Sequence, residues 1–318
     1  MNGIFFLIFA FFTVFLSIKL SCYADELSKR DSVNNAVVGG IVLAGVTALP
    51  EFVICFSAIT INNVSLAMGD VLGSTIFNFF MVCVFDIIFI KKMFFCKISS
   101  FHDFTLVLLM LNYIVIFLCC LFFKTFTLFL IGVPSLFIFI SYIFYIVSIS
   151  KRGDVVIVND NRGLDETLVL KLVIAAILLV LSSLLLTIVV NNLSFVYPFF
   201  SSGFLGAIFL GITTSLPEVV TFYTLISVNN YDLAFSNIIG SNMFNLLILA
   251  FGDLIVSKSI YSFYDRDILI IVILGFVFSL ICVFANKRRL FNLSKIRYGI
   301  VSFIIVFLYL FFWIANIL

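Results

Sequence analysis

Ten apolar runs fall roughly at residues 3–20, 36–60, 64–90, 104–123, 125–149, 168–190, 199–228, 233–256, 267–285 and 298–317. A hydrocarbon core about 30 Å thick takes about 20 helical residues per crossing, so ten crossings use about 200 residues and leave only short loops. Inside lipid every backbone amide needs an internal partner, which restricts such runs to helices. The expected fold is therefore all-α and integral to a membrane, with about ten transmembrane helices. Composition agrees. Of the 318 residues 64% are apolar and 11% charged, against about 45–50% and about 25% in soluble domains. No segment is left over for a separate soluble domain.

The loops orient the chain. If the N-terminus lies outside, 15 of the 18 Lys and Arg fall in loops facing the cytoplasm, and only Lys124, Lys258 and Arg266 face outward. That asymmetry predicts ten spans with both termini outside, in a plasma or bacterial inner membrane. Cys22-Tyr23-Ala24 resembles a signal cleavage site, but no positive residue precedes the first apolar core, so that run is taken as a retained span. The longest polar stretch divides the chain into residues 1–150, a short cytoplasmic linker at 151–167, and residues 168–318, five spans to each half. The linker is expected to be a plain solvated loop.

Several functions are excluded at this level. A net charge of +2 with scattered cations gives no footprint for nucleic acid. The seven cysteines form no C-x-x-C pair and behave as small hydrophobes. His102 is the sole histidine, expected in a loop or interface, so neither a His-rich metal site nor a Ser-His-Asp triad is available. The 43 Phe residues spread through every run and are expected to face lipid. No nucleophile, base and orienting group cluster, so the chain is not expected to be an enzyme. No cofactor and no obligate protein partner are indicated, and the bilayer is the one evident macroscopic partner.

Residues 47–78 and 214–245 align without a gap at an offset of 167. The identities include Leu49/Leu216, Pro50/Pro217, Glu51/Glu218, Asn62-Asn63/Asn229-Asn230, Gly73-Ser74/Gly240-Ser241 and Phe77-Asn78/Phe244-Asn245. Chance similarity between apolar helices would match apolar letters, whereas these matches include Pro, Glu, Asn, Gly and Ser. The segment is duplicated. Five crossings separate the copies, so one is inserted upside down, a plan that places transporter ion sites near the midplane at broken helices. The Pro of each copy is expected to supply the break, since it lacks an N–H and clashes with the carbonyl of Val46 or Thr213.

Glu51 and Glu218 follow these prolines inside apolar runs. Two intramembrane carboxylates cost roughly 5–7 kcal/mol if Glu resembles Asp on the translocon scale, a penalty that points to function. The pairs Thr47/Glu51, Thr214/Glu218, Ser74/Asn78 and Ser241/Asn245 are each four residues apart and share a helical face. Gly73 and Gly240 permit close helix approach. Glu51, Glu218, Asn78 and Asn245 together offer two carboxylates and two amides, with hydroxyls and freed carbonyls around them. Such oxygens suit Ca²⁺, which takes about six to eight of them, and a charge of −2 balances one such ion. Zn²⁺ or Cu⁺ would call for imidazole or thiolate, and Cys55 has only Phe222 as its counterpart.

At these residues the sequence resembles the cation/Ca²⁺ exchanger superfamily, as a prokaryotic-type sodium/calcium exchanger membrane protein. The resemblance rests on VTALPE at 46–51 with GSTIFN at 73–78, and TTSLPE at 213–218 with GSNMFN at 240–245. It implies two inverted five-helix halves, with alpha-repeats at about 36–90 and 199–256. It also implies that Glu51, Asn78, Glu218 and Asn245 bind Ca²⁺ or Na⁺, and that Thr47, Ser74, Thr214, Ser215 and Ser241 flank them as Na⁺ ligands. Several Na⁺ would compete with one Ca²⁺ while the first and sixth spans slide. Departures from the pattern are Val46 and Thr213 in place of Gly, Ala48 in place of Ser, and Thr75 in place of Asn. Asn245 stands where K⁺-dependent members tend to carry Asp, which argues against K⁺ co-transport.

The implied function is a secondary active antiporter exchanging Na⁺ for Ca²⁺ by alternating access. H⁺/Ca²⁺ exchange, with the glutamates carrying protons, is the alternative; a passive cation channel and a non-transporting scaffold are the remaining ones. Asp86 and Asp253 also match at the offset of 167 and are expected to anchor helix ends rather than line a pathway mouth.

Overall fold

Long apolar runs dictate the elements, and their polar ends decide where each stops. The computed structural model describes residues 2–28, 45, 48–122, 127–128, 131–150, 166–197, 199–227, 229–256, 258–287 and 295–317. Its helices are α1 (Asn2–Ser28), α2 (Leu49–Thr60), α3 (Val64–Ile88), α4 (Phe101–Phe122), α5 (Val133–Ser150), α6 (Glu166–Val196), α7 (Ser202–Ser227), α8 (Tyr231–Asp253), α9 (Arg266–Lys287) and α10 (Lys295–Ile317). Eight of them are long and apolar enough to cross a membrane, while α2 and α5 are shorter apolar helices. The expected polar linker lies almost wholly outside the described residues.

The helices sort into a core and a periphery. Burial is deepest in α8, α7 and α3, and shallowest in α1 and α10. α1 lies along α6 and leaves Ile4, Leu7 and Phe11 exposed, as a lipid-facing helix must. α3 is central, touching α2, α7, α8, α9 and α10.

Two local devices fix the core helices. The Asn63 side chain caps α3 by accepting from Leu66 N at 3.2 Å, and Ser201 caps α7 by accepting from Phe204 N at 3.0 Å. The turns leading into α3 and α8 are the same turn. Asn62 and Asn229 both adopt φ 61°, a left-handed conformation that Asn tolerates better than most residues. The bonds match as well: Asn63 N donates to Ala58 O at 2.9 Å and Asn230 N to Leu225 O at 2.9 Å. The offset of 167 is thus visible in the backbone.

α3 and the first half of α7 run side by side in the same direction, Gly69 meeting Gly203, Gly73 meeting Ala207 and Ser74 meeting Thr214. Contact is backbone to backbone. A Cβ on Gly73 would stand 2.3 Å from Ala207 Cα, so the small residue is required there, as expected for close approach.

Three expectations change or resolve. Pro50 does stand in the first turn of α2, where a missing N–H costs nothing. Pro217 instead lies inside α7, and the helix continues through it. Packing of α7 against α3 and α8 outweighs one lost backbone bond, and the irregularity appears upstream as a π-helical turn at Gly206–Leu210. His102 belongs to the first turn of α4, buried and edge-on to Phe235, rather than to a loop. Asp86 and Asp253 are anchors. Asp86 accepts from Tyr298 and from Ser302 Oγ, while Asp253 accepts from Gly132 N and Ile260 N at 2.7 Å each. The Gly132 bond holds a two-stranded antiparallel ladder, β1 (Thr127–Leu128) with β2 (Ile131–Gly132), against the end of α8.

Candidate ion-binding site

The Pro-Glu motifs deliver Glu51 from the first turn of α2 and Glu218 from the middle of α7. Both are 0% exposed, and the two carboxylates interact electrostatically. Neither oxygen of Glu51 has a hydrogen-bond partner, whereas Glu218 Oε1 accepts from Ser241 Oγ at 3.2 Å. Among the described residues no Lys or Arg is buried. Glu51 therefore sits in a low-dielectric core with no Lys or Arg among the described groups that act on it.

Hydroxyl and carbonyl oxygens gather next to them from α3 and α7. Ser74 Oγ donates to Asp70 O at 2.8 Å and lies 3.2 Å from Gly211 O and 3.4 Å from Thr214 Oγ1. Thr214 Oγ1 donates to Leu210 O at 3.0 Å, and its side chain also stands beside the Glu51 carboxylate. Ser215 is buried with its Oγ unpartnered, and its counterpart Ala48 is buried too. Thr47 lies outside the described residues, as does Val46.

The two asparagines are held differently. Asn78 Nδ2 donates to Asn242 Oδ1 at 2.8 Å, and Asn242 Nδ2 donates to Thr75 O at 3.4 Å. Tying up the Asn78 amide nitrogen leaves its Oδ1 as an unpartnered acceptor. Asn245, one helical turn beyond Ser241, is buried with both amide atoms unpartnered. Among the described residues no three Asp, Glu, His or Cys side chains gather closely enough to hold one metal ion. Any hard cation bound here must draw on amide, hydroxyl and carbonyl oxygens besides the two glutamates.

Sequence reasoning missed three residues of this neighbourhood. Asn242, the Thr75 counterpart, positions Asn78. Asp70 is a third fully buried carboxylate, in electrostatic contact with Glu51, and its counterpart Asn237 is buried with both amide atoms unpartnered. The available signal was an acidic residue in an apolar run, one helical turn before Ser74 and matched by Asn at the offset of 167.

A groove of about 540 Å³ opens between α1, α6 and α7, lined by Phe6, Leu193, Val196, Tyr197, Phe200 and Phe209 among others. It contains no carboxylate and shares no residue with the glutamate site.

No curated protein matches the chain. Among solved structures the fold is similar to that of native YfkE, with TM-score 0.69 and 14% identity, covering 99% of this chain and 92% of the other. It is also similar to the H⁺/Ca²⁺ exchanger CAX, with TM-score 0.65 and 14% identity over 99% and 88% of the two chains. The sodium-calcium exchanger NCX_Mj gives TM-score 0.59 and 18% identity over 97% and 96%. At these identities the likeness is one of fold. A sequence profile described as sodium/calcium exchanger protein matches residues 2–150 and 167–318. With nearly the whole length matched and the duplicated Pro-Glu segments buried at its centre, the chain belongs to the sodium/calcium exchanger protein family, whose members are multi-pass membrane ion exchangers.

Proposed function

We propose that this chain is a secondary antiporter that moves Ca²⁺ against Na⁺ by alternating access at the Glu51–Glu218 pair. One observation carries the reading: two glutamates from equivalent positions of a duplicated segment lie fully buried and interacting, with no buried Lys or Arg among the described residues. Two such charges persist only if a mobile cation or proton neutralises them. Ca²⁺ balances the pair and takes further oxygens from Asn78 and Asn245. Na⁺ competes for the same carboxylates with the hydroxyls of Ser74, Thr214, Ser215 and Ser241, and of Thr47 in the equivalent place. Similar binding free energies for the two ion loads let each displace the other, and their gradients then set the direction of exchange.

The ten apolar helices serve as ten spans in two inverted halves, with both termini outside a plasma or bacterial inner membrane. Inversion is supported by α3 running parallel to α7, because the tight turn at Asn62 then sets α2 antiparallel to α7, its own counterpart. The peripheral pair formed by α1 and α6 is the element that slides.

H⁺/Ca²⁺ exchange is the second reading, favoured by one observation: Ala48 removes from the first copy the hydroxyl that Ser215 supplies in the second. Proton exchange needs the carboxylates and not the hydroxyls.

The test is radioactive Ca²⁺ uptake into proteoliposomes loaded with Na⁺, with K⁺, or bearing a pH gradient, for the wild type and Glu218→Gln. Uptake that requires internal Na⁺ and disappears in the variant is the expected result. Uptake driven by the pH gradient alone moves the assignment to proton exchange, and uptake insensitive to the variant removes the glutamate pair from the mechanism.

A further inference from the structure

The two candidate amide ligands are equivalent in the repeat and unequally held. Asn78 follows Thr75 by three residues, and Asn245 follows Asn242 by three. Asn242 fixes the asparagine of the other copy, its Oδ1 accepting from Asn78 Nδ2 at 2.8 Å. By the same exchange Thr75 is the residue that should fix Asn245, since Thr75 and Asn242 are counterparts and neighbours, Asn242 Nδ2 donating to Thr75 O at 3.4 Å. It does not. Asn245 is 0% exposed, and neither of its amide atoms has a hydrogen-bond partner.

The cause lies at Thr75. Its Oγ1 donates to Leu72 O at 2.7 Å and shares a hydrogen bond with the Tyr113 hydroxyl, so it is engaged within α3 and toward α4. A threonine hydroxyl also sits one bond nearer the backbone than an asparagine amide oxygen. Tyr113 is itself fixed. It is fully buried, and its ring lies so close to α9 that a Cβ on Gly275 would stand 2.3 Å from Cε1.

An amide held by its nitrogen presents its oxygen in one direction. An amide held by nothing turns about χ2, a broad torsion. Among hard divalent ions, selectivity follows from cavity size, ligand number and the flexibility of the ligands. We infer that the Thr75–Tyr113 pair sets the selectivity of the site among divalent cations: by withholding a partner from Asn245 it leaves one amide oxygen adjustable, so that hard divalent ions of different radius are accepted. Asn78 is then the rigid arm and Asn245 the adaptable one. The inference rests on the reading of Asn78 and Asn245 as cation ligands.

The test is calorimetric titration of the purified full chain in detergent with Ca²⁺, with the larger Sr²⁺ and with the smaller Mn²⁺. The wild type is expected to bind all three with Kd values within about tenfold of one another. Thr75→Asn supplies the missing amide, and combining it with Tyr113→Phe removes the competing hydroxyl while keeping the ring. These variants are expected to raise the preference for Ca²⁺ over both other ions by about tenfold, and adding Asn245→Ala is expected to abolish the gain. A wild type that already prefers Ca²⁺ by 100-fold over both ions overturns the inference without any variant. Unchanged preferences in both Thr75 variants overturn it too, as does a gain that persists without Asn245. Ca²⁺ binding to Glu218→Gln is measured in parallel. Binding lost there while the Thr75 variants match the wild type overturns this inference alone, whereas binding unaltered there overturns the central ion site and this inference with it.

Discussion

The two copies of the duplicated segment share a backbone and differ in chemistry. Asn62 and Asn229 make the same left-handed turn with the same bonds, and α3 and α8 begin at equivalent residues. Around the glutamates their chemistry differs at four places. Glu51 has no hydrogen-bond partner while Glu218 takes one from Ser241; Ala48 opposes Ser215; Thr75 opposes Asn242; Asp70 opposes Asn237. Even the prolines differ, since Pro50 opens a helix and Pro217 rides inside one. Duplication preserved what packing requires and released what ion recognition can vary. A near-symmetric scaffold thereby holds an asymmetric set of oxygens.

Packing is the part of that comparison least tolerant of change. Gly73→Val drives a side chain into the Ala207 backbone, and overpacking at a contact of 2.3 Å is expected to exceed the usual range of about 1–3 kcal/mol. Detergent-extracted protein should lose its monodisperse peak in size-exclusion chromatography. A stable, active Gly73→Val would mean that the α3–α7 crossing is looser than described.

Replacing either glutamate tests whether the chemically unequal carboxylates are functionally equal. Glu51→Gln and Glu218→Gln are each expected to weaken Ca²⁺ by about 100-fold or more, the consequence of removing about 3–5 kcal/mol of buried charge pairing. Calorimetric Ca²⁺ titration measures it. A large loss in one variant alone would show that the copies share the load unevenly.

Positioning residues should matter less, and only in their own copy. Ser241→Ala removes the bond to Glu218 Oε1 and Asn242→Ala removes the bond from the Asn78 amide. About tenfold weaker Ca²⁺ binding is expected from each, as for other groups that orient metal ligands, and the double variant reports whether the two act independently. Equal binding to wild type and Asn242→Ala would remove the amide relay from the site. Smallest is the effect at the shared turn. Asn62→Ala and Asn229→Ala are each expected to cost about 1 kcal/mol through their left-handed backbone, read as similar drops in thermal midpoint. Unequal drops would break the backbone equivalence.

The apolar runs, the duplication and the Pro-Glu pairs were legible in the sequence because lipid admits few folds and a gapless repeat shows itself in its polar letters. From these alone followed a helical membrane protein with Glu51 and Glu218 at its chemical centre. The sequence also marked Ser74, Thr214, Ser241, Asn78 and Asn245 by helical spacing, which reports a shared face but not what that face meets. Only the tertiary structure decided that Pro217 leaves its helix unbroken, that Asn242 takes the Asn78 amide, and that Asp70 stands beside Thr214 and Glu51. The physical reason is distance along the chain. Ser74 meets Gly211 across 137 positions and Asn242 meets Thr75 across 167, contacts fixed by the packing of α3, α7 and α8 rather than by the period of any one helix.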